Sequence, residues 1–488
     1  MEKVRTRFAP SPTGFMHVGN LRTGLYAYLF AKQAGGTFVL RIEDTDRERY
    51  VEGAVDVIYR TLATAGIVHD EGPDKDGGYG PYVQSERKGL YLRYAEQLVE
   101  RGGAYYCFCD KERLETLQSA DGVRKYDKHC LHLSKQEVRR RLDAGEPYVI
   151  RQNVPTEGVS EYDDLVFGHI CVPNADMEDN ILIKSDGMPT YNFANVVDDH
   201  LMGINYVIRG VEYLSSTPKY NLLYDAFGWE RPHYMHLSPI MKDAQRKLSK
   251  RYGDANFEDF LAKGYLPEAI VNYIALLGWS PKDNREKLTL DELIAQFDVA
   301  GISKSPSIFD EAKMRWLNGE YIKQMTPEQF ARAAEPFFAR SKAAGMYDPI
   351  ELSKLLIPRV EILSEIPDKI DFLAEYGPID STMYEHKKMK VTQPIALQAL
   401  QACCDAFRDV AQADWTDERL KEIAAQIASR EQLKSGQVFL PLRLALTAAA
   451  SSPGGATEMA QLLGKDESMR RLQCAIRGLQ STVRTDRI

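Results

Sequence analysis

Residues 3–8, KVRTRF, alternate polar and apolar like a short strand, and APSPTG then interrupts the chain with two prolines and a glycine. From Gly19 onward, Leu21, Leu25, Tyr28 and Leu29 fall at helical spacing. GGTFVLRIED reads as a turn into a second strand, expected to be buried at Phe38, Val39, Leu40 and Ile42. Strand, helix, strand is a βαβ unit, which predicts a parallel sheet. Ligands bind such sheets beyond the carboxyl ends of the strands, where APSPTGFMHVG lies.

The segment 83–198 mixes helical stretches with short strands and reads as an insertion. INYVIRGVE (204–212) then resumes the parallel sheet. After about residue 242 the pattern turns helical in PEAIVNYIALLGW, LTLDELIAQF and DEAKMRWLNGEYI, and beyond 326 it is almost entirely amphipathic helix. No internal repeat is present, and SSPGG (451–455) reads as a connection between helices.

With 488 residues the chain exceeds a single hydrophobic core and should divide into roughly two to five domains. MEKVRTRF has charge but no apolar region behind it, and no stretch approaches the ~18 apolar residues of a membrane span, so a cytoplasmic location is expected. Seven cysteines, with Cys403 and Cys404 adjacent, do not suit a secreted disulfide framework. A net charge of −8 argues against coating nucleic acid non-specifically, although a local basic face would suffice for a few phosphate contacts.

Three stretches carry chemistry. His17 precedes Gly19 where a loop passes into a helix, and a helix N-terminus favours an anion such as phosphate. Gly19 has no Cβ and lets a ligand approach, while His17 can donate to phosphate oxygens. RKLSKRYGD (246–254) sets Lys247, Lys250 and Arg251 around Ser249, where the two lysines could grip phosphates as charge develops. CFC (107–109) and CLH (130–132) supply Cys107, Cys109, Cys130 and His132, a soft ligand set suited to tetrahedral Zn2+ of structural role. His129 is the alternative fourth ligand.

HVGN (17–20) and KLSKR (247–251) together resemble the two signatures of class I aminoacyl-tRNA synthetases. RFAPSPTG, RIEDTDRERY, GPYVQSER, SDGMPTYNFANVVDDHLMGI, VIRGVE and GYLPEAIVNYIALLGW narrow the resemblance to the glutamyl-tRNA synthetases, collinearly from residue 5 to about 322. Two positions depart: Asn20 stands where the class often has histidine, and Val211 where many relatives have an acidic residue.

The resemblance implies an α/β fold. A Rossmann-type catalytic domain (1–82 and 199–241) would hold an inserted α+β acceptor-stem-binding domain (83–198). A stem-contact domain (242–326) and an all-α anticodon-binding region (327–488, divisible near 385) would follow. It also implies two-step ligation of L-glutamate to tRNA(Glu) through glutamyl-adenylate, with Mg2+ accompanying ATP, by a monomer without membrane association. His17, Gly19, Asn20, Glu212, Lys247, Ser249 and Lys250 would serve ATP, with His17, Lys247 and Lys250 catalytic. Arg7 and Arg209 would bind glutamate carboxylates, Glu43 the α-amino group, and Ser11, Tyr191 and Asn195 would add hydrogen bonds. Arg359 and Arg443 are the expected anticodon readers, since a planar guanidinium can bond a base edge or stack on its face. The alternatives are a glutaminyl-tRNA synthetase, whose C-terminal part should be β-barrels, and a non-catalytic tRNA-binding relative.

Overall fold

The computed structural model describes residues 3–45, 51–117, 125–248, 256–377 and 379–485. Ser249, Lys250 and Arg251, and residues 46–50 of RIEDTDRERY, lie outside the described residues. The chain divides into two compact units, Met1–Ala262 with Pro267–Leu317, and Lys263–Leu266 with Asn318–Ile488. No helix among the described residues is long and apolar enough to cross a membrane.

In the first unit β1 (Arg5–Phe8) pairs in parallel with β2 (Thr37–Leu40), from Arg5 opposite Thr37 to Phe8 opposite Leu40. Helix α1 (Val18–Gln33) makes the crossover, and Leu21, Leu25, Tyr28 and Leu29 are buried as their spacing requires. Its other side is buried too, because α9 (Pro267–Leu276) and α10 (Leu290–Gln296) cover it. Gly24 lets α1 lie close on β1: a Cβ there would stand 3.0 Å from the Phe8 ring.

The second parallel pair is β8 (Tyr206–Gly210) with β9 (His233–Leu237), joined through α7 (Thr217–Phe227). β8 runs beside β1, where the Asn205 amide donates to Arg5 O and the Arg5 amide to Asn205 Oδ1. The insertion contributes more to this sheet than its sequence suggested. Its hairpin, β5 (Val159–Asp164) and β6 (Gly168–Pro173), extends the sheet in the order β6-β5-β9-β8, with Asp164 opposite Tyr234. The rest of the insertion forms its own antiparallel sheet of β3 (Ala104–Cys107), β4 (Val149–Gln152) and β7 (Ile181–Ile183). Helices α3 (Lys88–Glu100) and α6 (Tyr191–Leu201) pack with α7 around Tyr91, Leu98, Phe193, Val197, Tyr220 and Leu223. After β9, β10 (Ile240–Met241) pairs in parallel with β11 (Ser307–Ile308).

The second unit is helical, as its amphipathic pattern predicts. Its helices are α12 (Pro327–Phe338), α13 (Pro349–Leu356), α14 (Ile366–Ile370) and α15 (Gln393–Arg408), then α16 (Asp417–Arg430), α17 (Ser435–Thr447), α18 (Ala456–Leu463) and α19 (Lys465–Thr485). Thr326 starts α12 with a capping box: its hydroxyl accepts from Gln329 N, and Gln329 Oε1 accepts from Thr326 N. Arg471 on α19, 1% exposed, donates to Phe372 O, Leu373 O and Leu446 O and so ties three segments of the bundle together.

Candidate active site

The loop leaving β1 ends at His17, which caps α1: Gly19 N donates to His17 Nδ1 over 3.0 Å. An accepting Nδ1 puts the proton of the neutral ring on Nε2. A Cβ at residue 19 would stand 3.1 Å from Nδ1, so the cap itself calls for glycine. The first turn of α1 carries no acidic residue, leaving its positive dipole end uncompensated for an anion.

A cavity of about 570 Å³ opens beyond the ends of β1 and β8. It gathers Arg7 and Ser11, the α1 N-terminus with His17, Gly19 and Asn20, and Glu43 from beyond β2. Tyr191 from the start of α6, Arg209 and Glu212 from the end of β8, and Lys247 complete that set. Lys247 is exposed and bridges back to Met241 of β10. Asn195 does not line the cavity. It is buried one turn along from Tyr191 and donates from Nδ2 to Tyr191 O at 2.7 Å, which steadies that turn.

Below the cavity lies a buried ionic network in which only Arg7 and Glu43 were expected to take part in the site. Arg7 donates from Nε to both oxygens of Asp199 (3.1 and 3.3 Å) and from Nη1 to Ile208 O. Arg41, fully buried, donates to Asp199 Oδ1 (2.7 Å) and to Glu43 Oε1 (2.9 Å). Asp198 accepts from Arg87 Nε (2.7 Å), Gln84 Nε2 (2.9 Å) and the Tyr91 hydroxyl. Three guanidinium and three carboxylate groups thus balance where an unpaired charge would be costly. Burial raises the Asp199 carboxyl, but Arg7 and Arg41 outweigh it and hold the group below its ordinary value. For Glu43 burial wins over Arg41 and Arg7, and its carboxyl is pushed up.

Arg209 is held from below. Its Nε donates to His236 Nε2 (3.1 Å) and its Nη2 to Thr217 Oγ1 (2.6 Å). The rings of Tyr213, Tyr220 and Tyr234 lie 5.2, 4.8 and 5.2 Å from its guanidinium carbon, within cation–π range. His236 Nδ1 meets Asp164 Oδ2 at 2.6 Å, so the inserted hairpin reaches the cavity wall.

In the insertion Cys107, Cys109 and Cys130 bring their sulfur atoms within 4.8 Å of one another. None of them is in a disulfide. His132, the expected fourth ligand, is not in this group, and neither is His129. The two lie on one 3-10 turn, His129–His132, in which Cys130 is the buried residue. The sequence missed Tyr126, whose hydroxyl lies 3.3 Å from Cys107 Sγ and 3.4 Å from Cys109 Sγ and accepts from Cys130 N. Three thiols and a phenol in one cluster fit a soft divalent cation such as Zn2+.

In the second unit Arg359 is exposed, donating to Leu355 O and Glu458 Oε2. Arg443, expected to read a base, donates to Ala449 O, Ala450 O and Ser452 Oγ in the loop that follows α17.

A helix N-terminus capped by histidine at the mouth of a parallel sheet, with a lysine beside it and a helical unit following, defines a class I tRNA synthetase. Residues 3–316 match the family described as "tRNA synthetases class I (E and Q), catalytic domain", and residues 315–476 match an anticodon binding domain. The chain belongs to the glutamate–tRNA ligases. It is 55% identical to the glutamate–tRNA ligase of Clostridium novyi over 99% of both chains, and 54% identical to that of Clostridium kluyveri over 98% of this chain and 99% of the other. A solved glutamate tRNA ligase from Elizabethkingia meningosepticum, in complex with its amino acid, superposes with a TM-score of 0.87 at 36% identity, covering 98% of this chain and 99% of the other.

Proposed function

We propose that this cavity joins L-glutamate to tRNA(Glu) in two steps. The α-carboxylate attacks the α-phosphorus of ATP, giving glutamyl-adenylate and pyrophosphate. A ribose hydroxyl of the terminal adenosine, the 2′-OH, then takes the glutamyl group and releases AMP. The observation that carries the assignment is the meeting of Arg7, Arg209 and Glu43 with the His17-capped α1 N-terminus in one cavity. No protein nucleophile is needed. Catalysis is placement of the reactants plus stabilisation of charge growing on phosphate.

His17 donates from Nε2 to phosphate oxygens, Gly19 and Asn20 present the α1 terminus, and Glu212 lines the cavity as a further ATP-binding residue. Lys247, with Lys250 and Ser249 of the same signature, stabilises the departing pyrophosphate. Mg2+, when bound with ATP, neutralises phosphate charge. Arg7 and Arg209 take the substrate carboxylates, and a buried guanidinium facing the side chain rejects the neutral amide of glutamine. Glu43, whose carboxyl is raised by burial, is held toward its charged form by a substrate ammonium beside it. Ser11 and Tyr191 add hydrogen bonds, and Asn195 acts by fixing the turn that carries Tyr191.

Zn2+ would be held by Cys107, Cys109 and Cys130, with Tyr126 as the group already at the fourth side, and would brace the insertion rather than take part in the reaction. Arg359, exposed in the helical unit, is the proposed anticodon reader, favouring tRNA(Glu) over tRNA(Gln). The enzyme is expected to act as a cytoplasmic monomer. The helical unit opposes the glutaminyl alternative, which calls for β-barrels. The test is ATP–pyrophosphate exchange with and without tRNA: exchange should require both glutamate and tRNA. Exchange driven by glutamine, or by neither amino acid, would overturn the assignment.

A further inference from the structure

We propose that His236, fixed as its Nδ1–H tautomer by Asp164, is a positioning residue that holds Arg209 in its substrate-binding pose and ties that pose to the inserted hairpin. The inference rests on the reading of Arg209 as a glutamate-carboxylate binder.

The tautomer follows from the partners. Arg209 Nε always carries a proton, so His236 Nε2, 3.1 Å away, must accept. The ring proton therefore sits on Nδ1 and goes to Asp164 Oδ2 at 2.6 Å. Asp164 is itself locked: Oδ1 accepts from Val166 N and Phe167 N in the hairpin turn, and Oδ2 also accepts from His236 N. His236, Asp164 and Arg209 are 0, 3 and 5% exposed, so water does not substitute for any of these bonds. The tyrosine rings around Arg209 favour its charge but are tolerant of rotation, whereas bonds from Nε and Nη2 fix the plane.

A second proton on His236 would set two donors and two cations against each other at Nε2. The groups facing the ring are Asp164 and Tyr162 from β5, Arg209 and the following Glu212 from β8, Thr217 from α7, and Tyr234 from its own strand β9. Burial raises Tyr162 and Tyr234, so the charged neighbours are Asp164, Arg209 and Glu212. Burial, with Arg209, outweighs the two carboxylates and lowers His236 below its ordinary 6.5. Neutral His236 and a fixed Arg209 therefore go together at neutral pH.

The experiment is tRNA-dependent ATP–pyrophosphate exchange at neutral pH, varying glutamate and ATP in turn, for the wild type, His236→Ala, His236→Gln and Arg209→Ala. His236→Ala should raise the glutamate KM about tenfold or more, the scale of one lost charge-assisted hydrogen bond, and leave the ATP KM unchanged. His236→Gln, whose amide can accept from Arg209 and donate to Asp164, should restore most of the affinity. If His236→Ala does not fold, His236→Phe, which keeps a ring and removes the acceptor facing Arg209, takes its place in the comparison with His236→Gln. An unchanged glutamate KM in His236→Ala, equal rises in both KM values, or a glutamate KM in His236→Gln no lower than in His236→Ala would overturn the proposal. Arg209→Ala separates the two levels. If it leaves the glutamate KM unchanged, the reading of Arg209 falls; if it raises the KM and His236→Ala does not, only the role of His236 falls.

Discussion

Replacing Arg7 by alanine probes both of that side chain's tasks, and the structure sets their relative sizes. Toward the substrate, the variant loses a charge-assisted bond to a carboxylate, worth about 1.5–3 kcal/mol, or roughly a ten- to hundredfold rise in the glutamate KM. Toward the protein, Asp199 loses Arg7 Nε at 3.1 and 3.3 Å but keeps Arg41 Nη1 at 2.7 Å. The carboxylate is not orphaned, so the loss of stability should fall below the ~3–5 kcal/mol of a buried charge left without a partner. The proposed ATP side of the cavity comprises His17, Gly19 and Lys247, whereas the Arg7 side chain bonds to Asp199 and Ile208 O. Steady-state exchange with tRNA present, varying glutamate and ATP in turn, measures the first effect, and urea unfolding the second. The glutamate KM should rise at least tenfold more than the ATP KM. Equal rises in the two KM values, or a stability loss large enough to account for the activity loss, would refute the reasoning.

Lys247→Ala should slow adenylate formation by about 10²-fold or more in single-turnover assays, the scale seen for loss of a charge-stabilising donor, and a near wild-type rate would remove it from the mechanism. Asp199→Asn should cost about 3–5 kcal/mol at neutral pH, because Arg7 and Arg41 would then face a neutral amide. The Asp199 carboxyl is depressed on folding, so its stabilisation is present above the ordinary value of 3.8 and is lost as pH falls through the folded value. Acid unfolding followed by circular dichroism should accordingly be flatter over that window in the variant. Metal analysis should find one zinc per chain, lost faster to a chelator in Tyr126→Phe than in His132→Ala; the reverse order would return the fourth position to the histidine.

The histidine-capped start of α1, the proposed ATP side, was legible because its parts are local. His17 and Gly19 sit two residues apart and are linked by one hydrogen bond across a helix start, so sequence spacing alone reports the geometry. The proposed glutamate side came only by resemblance, since Arg7, Glu43, Tyr191 and Arg209 reach the cavity from four separate segments. What holds them was not legible at all. Nothing in RIED or VVDDH says that Arg41, Asp198 and Asp199 will share one buried network, because each is equally good as a surface charge until the fold brings them together. Asp164 and Tyr126 gave no signal for the same reason: one acts through a strand pairing and the other through a loop folded over two thiols.

The sequence by itself determined the helices, the parallel βαβ start, the helical second unit and the chemistry of the loop that caps α1. These follow from periodicities of two and 3.6 residues and from end effects that reach only a turn or so. The tertiary structure alone decided how the insertion joins the catalytic sheet, which carboxylates fix Arg7 and Arg209, and which side chain faces the three cysteines. Those choices rest on partners up to 192 residues apart, and a charge or ring buried there gains its role from the neighbours that replace water.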